Sequence, residues 1–363
     1  MESLLVLAAW LALAPTLAND VHEERGTVEL DVDGSSYSKR FVLRYPEDRS
    51  RWNGRLVIGA HGGSGGESYS RDGDVTGTDE VSLDDVVGDH AVAHGFAYAS
   101  VDRDGIGGTF EGLNLTKAFS RRIKTKLTKE LGRDVEKTYI AGLSMGGFIA
   151  RYAAEDQATP FDGVLIIVGA GGDIAAQRQR SERMAKLWPR MKDGAIDPKI
   201  YADAVGTPVA ASRFWPFMGG SATNRASRRG SGGPGRDARD DRDDSTGAVV
   251  VPTIEVAGTY DDFVYPEILV YKEKVRGQGL TERHRLYEVE GAWHISRDDD
   301  AIASFQYVGS RMGLSEDVLD AMATGASYLP TVRESLLLLD DWVTSGEPPP
   351  PDRSLTEGTS LLP

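Results

Sequence analysis

The sequence predicts an α/β protein built on a mostly parallel sheet, and three observations carry that reading. Short apolar runs alternate with longer segments of helical period. The runs after residue 50 are apolar at consecutive positions, as expected of strands covered on both faces. The first two strands instead alternate polar and apolar residues around Asp33-Gly34, the pattern of an antiparallel hairpin at a sheet edge. The chain has 363 residues, 40% hydrophobic and 27% charged, enough for a large buried core.

The elements follow in order. Leu4 to Ala14 is an apolar run followed by Thr16-Leu17-Ala18. It falls short of the roughly 20 residues that cross a bilayer. It reads as a secretory signal over residues 1–18, although Met-Glu-Ser at the start carries no basic residue. The expectation is a secreted or periplasmic protein with no stable membrane insertion. The hairpin occupies 25–45, and strands follow at 55–60 and 96–101. Phe119, Ile123, Leu127 and Leu131 recur every fourth residue and predict a helix over 115–131, its basic residues on a solvated face. A strand at 138–141, a helix at 146–156 and a strand at 164–168 repeat the rhythm. Two more strands, at 250–257 and 285–289, flank a helix at 266–277, and an amphipathic helix at 331–344 closes the core. The core is therefore expected over 20–173 and 248–345. Between its halves, 174–218 reads as an aromatic helical cap and 219–247 as a flexible low-complexity linker. The tail, 346–363, contains four consecutive prolines and reads as disordered.

Composition limits the function. There are 56 acidic residues against 41 basic, a net charge of −15. That disfavours a nucleic-acid partner, whose phosphates require a basic face. Cysteine is absent, which excludes disulfides, thiolate metal sites and a cysteine nucleophile.

The chemistry concentrates at strand ends. Gly142-Leu143-Ser144-Met145-Gly146-Gly147 joins a strand to a helix and matches Gly-x-Ser-x-Gly. Such a turn exposes the serine hydroxyl above a helix N-terminus. Serine needs a base, and two histidines follow Ser144. His284 lies in a charged Glu-Arg-His-Arg stretch and reads as a surface residue. His294 lies just beyond the carboxyl end of the last core strand, where catalytic groups gather in such sheets. The base needs a carboxylate to hold its tautomer. Asp261, after the penultimate strand, is the choice, with Asp262 and Asp173 as rivals. His61-Gly62-Gly63-Ser64-Gly65-Gly66 ends a central strand and lacks the Lys-Ser/Thr of phosphate loops. It suits an oxyanion hole, with one N–H from Gly63 or Ser64 beside that of Met145.

Together these motifs resemble the α/β-hydrolase superfamily over about 25–345, apart from the cap and linker. His-Gly-Gly, Gly-x-Ser-x-Gly, Asp261 and His294 stand in that family's order of serine, acid and histidine. The Ser-Met-Gly-Gly turn is similar to secreted polyester hydrolases and polyhydroxyalkanoate depolymerase-like esterases. Tannase and feruloyl-esterase relatives carry comparable aromatic caps, but the tannase type has cysteines around its triad that this chain lacks. The resemblance implies an α/β-hydrolase fold and a serine carboxylesterase with the catalytic set Ser144, Asp261 and His294. It implies no cofactor and no metal, and a small-molecule or polymeric ester as partner. Trp188, Phe214, Trp215 and Phe217 of the cap, and Trp293 beside the base, are the expected substrate-binding side chains.

Overall fold

The computed structural model describes residues 21–63, 67–104, 106, 110–171, 245–261, 264–311 and 323–362, with isolated positions at 183, 186, 187, 190, 195, 316 and 320. The expected signal, cap and almost all of the linker, with Trp188, Phe214, Trp215 and Phe217, lie outside the described residues.

Numbered in chain order, the strands begin with β1 (Val21–Val32) and β2 (Ser35–Pro46), which pair antiparallel across the whole hairpin. β3 (Arg55–Ala60) follows, then a small excursion with β4 (Glu67–Tyr69) and β5 (Val75–Thr78). The short helix α1 (Asp89–Ala93) leads to β6 (Ala97–Val101), and α2 (Phe110–Leu131) to β7 (Lys137–Leu143). Next come α3 (Met145–Glu155), β8 (Gly163–Ile167) and β9 (Thr253–Gly258). The last part contains α4 (Tyr265–Gly277), β10 (His284–Val289), α5 (Ala301–Arg311), α6 (Leu329–Ser345) and β11 (Arg353–Leu355).

Among the described residues, nine strands form one sheet in the order β1-β2-β6-β3-β7-β8-β9-β10-β11. The pairs from β6 to β11 are all parallel, and β2 joins β6 antiparallel. The period-2 geometry of the inner strands divides their side chains between two apolar layers. Val57, Tyr139, Ala141, Leu165 and Ile167 pack into one, with Val332, Leu336 and Leu339 of α6. Leu56, Ile58, Ile140, Val164 and Ile166 pack into the other, with Phe119 and Ile123 of α2 and Ile149 and Ala153 of α3. The sheet is covered on both faces, which is why its strands read as unbroken apolar runs. Chain order reverses at β3, whose two neighbours are β6 and β7. The crevice at such a reversal is where open α/β sheets place their ligands.

Two expectations are corrected. The tail is not loose, because β11 adds a ninth strand in parallel register on β10, with Leu355 paired to Val289. Leu355 and Leu361 are buried against the core. The prolines carry the chain back to the sheet edge, where the Pro350 carbonyl accepts from the Tyr287 hydroxyl at 2.8 Å and the Asp352 carboxylate from the Leu286 N–H at 2.9 Å. His284 is not a surface residue. It is only 4% exposed, and its Nε2 lies 3.3 Å from the Glu255 carboxylate on the neighbouring strand. Its charged sequence neighbours concealed an inward-facing strand position.

Candidate active site

The site begins with a strained turn. Ser144 follows β7 with φ 54° and ψ −113°, a left-handed backbone rare for a residue with a side chain. The turn is held from the next strand: the Ser144 N–H donates to Ile167 O and the Ala170 N–H donates to Ser144 O, both at 3.0 Å. The glycines allow the close approach. A methyl group at Gly146 would overlap the Ala60 carbonyl, and one at Gly147 would collide with Gly169. The Ser144 hydroxyl makes no helix-capping bond and turns toward the crevice instead.

His294 and Asp261 arrive on two loops that are tied together. The Tyr260 N–H donates to Ala292 O at 2.9 Å, and the Gly291 N–H to the Thr259 hydroxyl at 3.0 Å. The Tyr328 hydroxyl, ahead of α6, donates to His294 O at 3.1 Å. These bonds bring three side chains together. His294 Nδ1 lies 2.6 Å from Asp261 Oδ2, and His294 Nε2 lies 2.8 Å from Ser144 Oγ. With the Asp261 carboxylate accepting at Nδ1, that nitrogen carries the proton and Nε2 is left to accept from the serine. Asp261 Oδ1 also accepts from the Val264 N–H at 3.2 Å. Only the serine reaches solvent appreciably, at 9% exposure. The rivals Asp262 and Asp173 lie outside the described residues.

The glycine loop after β3 lies against this group. A Cβ at Gly62 would sit 3.3 Å from that of Ser144. Gly63 is exposed and has φ 63°, a conformation that glycine adopts without strain. Of the expected oxyanion donors, Gly63 and Met145 are among the described residues, whereas Ser64 lies outside them. Trp293 does not offer a face to substrate: it is 2% exposed and packs edge-on against Phe305.

A second buried cluster supports the glycine loop. The His61 ring accepts the Arg103 backbone N–H at Nε2, 3.1 Å away, and donates from Nδ1 to Gly62 O at 2.7 Å. Burial holds this imidazole neutral, well below its ordinary pKa. The Arg103 side chain donates to the His61 carbonyl. Burial lowers the Arg103 guanidinium to about 10, against the opposing pull of Asp79 and Asp102. Asp79 is itself raised to about 6 by burial and the nearby Asp102. His61, Asp79 and Asp102 bring ligand-type atoms within 4.8 Å of one another and are the described residues nearest to a metal-binding set. Both nitrogens of His61 are already engaged, and the buried guanidinium answers the two carboxylates.

The sequence profile of the family described as alpha/beta hydrolase domain matches residues 113–360, more than half of the chain. The chain belongs to this family. The match takes in Ser144, Asp261, His294 and β11. Among solved structures, this hydrolase is similar to an esterase of Pyrococcus furiosus, at 15% identity and a TM-score of 0.46, over 82% of this chain and 91% of that one. It is also similar to a hyperthermophilic esterase of Pyrobaculum calidifontis, at 15% identity and a TM-score of 0.43, over 86% of each chain. A third likeness is to an acylaminoacyl peptidase of Pyrococcus horikoshii, at 11% identity and a TM-score of 0.45, over 82% of this chain but 41% of that one. No curated protein matches the hydrolase significantly. Among its described residues, no helix is long and apolar enough to cross a membrane.

Sequence reasoning passed over Arg103 and Tyr328, buried beside the glycine and histidine loops, and Glu255, buried in β9. Arg103 left one signal, a charged Asp-Arg-Asp run directly after the apolar strand β6.

Proposed function

We propose that this hydrolase is a serine carboxylesterase working through an acyl-enzyme. Ser144 Oγ attacks the ester carbonyl while His294 Nε2 takes its proton, forming a tetrahedral oxyanion. The oxyanion is held by the N–H of Met145 and by that of Gly63 or Ser64. The imidazolium, paired with Asp261, returns the proton to the departing alkoxide, and the acyl group stays on Ser144. Water, deprotonated by the same histidine, attacks the acyl carbonyl and releases the acid. The observation that carries this reading is the hydrogen-bonded line from Ser144 Oγ to His294 and from His294 to Asp261, at 2.8 and 2.6 Å. In this reading the ester is apolar, aromatic or polymeric, and the protein is exported after cleavage following Ala18.

The test is hydrolysis of p-nitrophenyl esters of increasing acyl length, with an aminoacyl p-nitroanilide in parallel. Ester turnover should exceed amide turnover, and Ser144→Ala should remove it by on the order of 10⁴-fold or more. Turnover that survives in Ser144→Ala rejects the mechanism. Faster cleavage of the anilide assigns the same three residues to a peptidase.

A further inference from the structure

The three elements that carry Ser144, Asp261 and His294 are joined a second time, deep inside the core. Arg151 lies on α3, two turns after the serine. Glu255 lies on β9, which leads to Asp261, and His284 opens β10, which leads to His294. Arg151 Nη2 donates to Glu255 Oε1, and His284 Nε2 lies 3.3 Å from Glu255 Oε2. The side chains of Arg151 and Glu255 are wholly buried, and the guanidinium carbon stands 4.7 Å from the centroid of the Tyr271 ring.

The guanidinium makes one bond that charge pairing alone does not require. Arg151 Nη1 donates to the carbonyl of Ala170 at 2.7 Å. The N–H of that same Ala170 holds the carbonyl of Ser144. Two residues earlier, Val168 has φ 40°, so a β-branched residue and the serine are both strained at adjacent strand ends. A strained pair persists only where its surroundings over-determine it.

We propose that Arg151 is a positioning residue, holding Ala170 so that Ala170 holds Ser144 at the angle that aims its hydroxyl at His294. The rigid fork of arginine serves both acceptors at once, whereas a lysine ammonium reaches one of them. The proposal rests on Ser144 as nucleophile, and the experiment separates the two.

Wild type, Arg151→Lys and the apolar pair Arg151→Met/Glu255→Leu are compared for melting temperature, for labelling by a fluorophosphonate and for kinetics on p-nitrophenyl acetate. The apolar pair is included because a buried ion pair replaced by packed hydrocarbon commonly folds as well as the original. Folded variants should show kcat reduced roughly 10- to 100-fold, KM within about threefold, and labelling slowed in parallel, the effect of a misaimed nucleophile. A merely structural arginine would lower the melting temperature and leave kcat and labelling alone. Either folded variant working within twofold of wild type overturns the proposal. Failure of both to fold overturns it too, assigning Arg151 to the core alone. A wild-type enzyme that the probe does not label at Ser144 rejects the esterase mechanism instead, whatever the variants do.

Discussion

Ser144 carries its φ of 54° at a cost of about 1–3 kcal/mol, a strain that the neighbouring strand must hold in place. Glycine adopts that conformation freely. Ser144→Gly and Ser144→Ala both lack the hydroxyl, so their difference isolates the strain. The glycine variant should be more stable by about 1 kcal/mol, or roughly 2–4 °C in melting temperature. Equal melting temperatures would show a turn without stored strain. Gly146 is the opposite case: its methyl derivative would overlap the Ala60 carbonyl, a backbone atom that cannot swing away. Gly146→Ala should therefore fold poorly or lose turnover, with β3 displaced from β7. Asp261 answers to another measurement. Asp261→Asn keeps the shape but can favour the wrong imidazole tautomer, so kcat should fall by about 10⁴ with little change in melting temperature.

At the scale of elements, the two excursions at the crevice mouth are clasped together. The Ser304 hydroxyl on α5 accepts from the Tyr69 N–H at 2.6 Å and donates to the Tyr69 carbonyl, while the rings of Tyr69 and Tyr307 lie 5.2 Å apart. The excursion after the glycine loop is thereby fastened to the segment after His294. The tail is fastened to the histidine loop as well. The Glu290 N–H donates to Leu355 O at 2.8 Å, and Arg297, in the histidine loop, pairs with Glu357. Removing residues 352–363 takes away the buried Leu355 and Leu361. At about 1.5–3 kcal/mol for each leucine, the melting temperature should drop by several degrees. Turnover should fall more steeply with temperature as the histidine loop loosens. An unchanged melting curve would return the tail to the loose extension that its composition suggests.

For the whole molecule, buried acids set the pH dependence of stability. Burial, with Asp85 nearby, raises Asp299 to about 8, and burial raises Asp84 to about 7. Unfolded, both titrate near 4, so above that pH the folded state holds more protons and stability falls as pH rises toward 8. The half-buried His90 opposes this at the acid end. Burial lowers His90 to about 4, so between 4 and the ordinary imidazole value the unfolded chain binds more protons and stability rises with pH. Above about 6.5 the histidine contribution levels off, and the acids set the slope. The melting temperature should therefore decline between pH 6.5 and 8.5, and Asp299→Asn should flatten that decline. A wild-type curve that rises over this interval would contradict the buried-acid account.

Features that depend on local periodicity and on residue order were readable before folding is considered. Covered strands are continuous apolar runs, amphipathic helices repeat every three to four residues, and a serine flanked by glycines between a strand and a helix announces its turn. Hence the order of the larger core strands through β10 and of α2, α3, α4 and α6, the Gly142–Gly147 turn and the position of His294 were legible. The tertiary structure alone decided matters that depend on neighbours distant in the chain. It set Asp261 Oδ2 at 2.6 Å from His294, 33 residues away in the chain. It also buried His284 against Glu255, because a charged flanking sequence says nothing about which face of a strand points inward. It docked a three-residue strand from a proline-rich tail, since so short a segment has too little period to be read and gains its stability from the sheet edge it joins. It closed Arg151 onto Ala170 and Glu255 for the same reason: a buried ion pair exists only where the fold brings both partners out of water together.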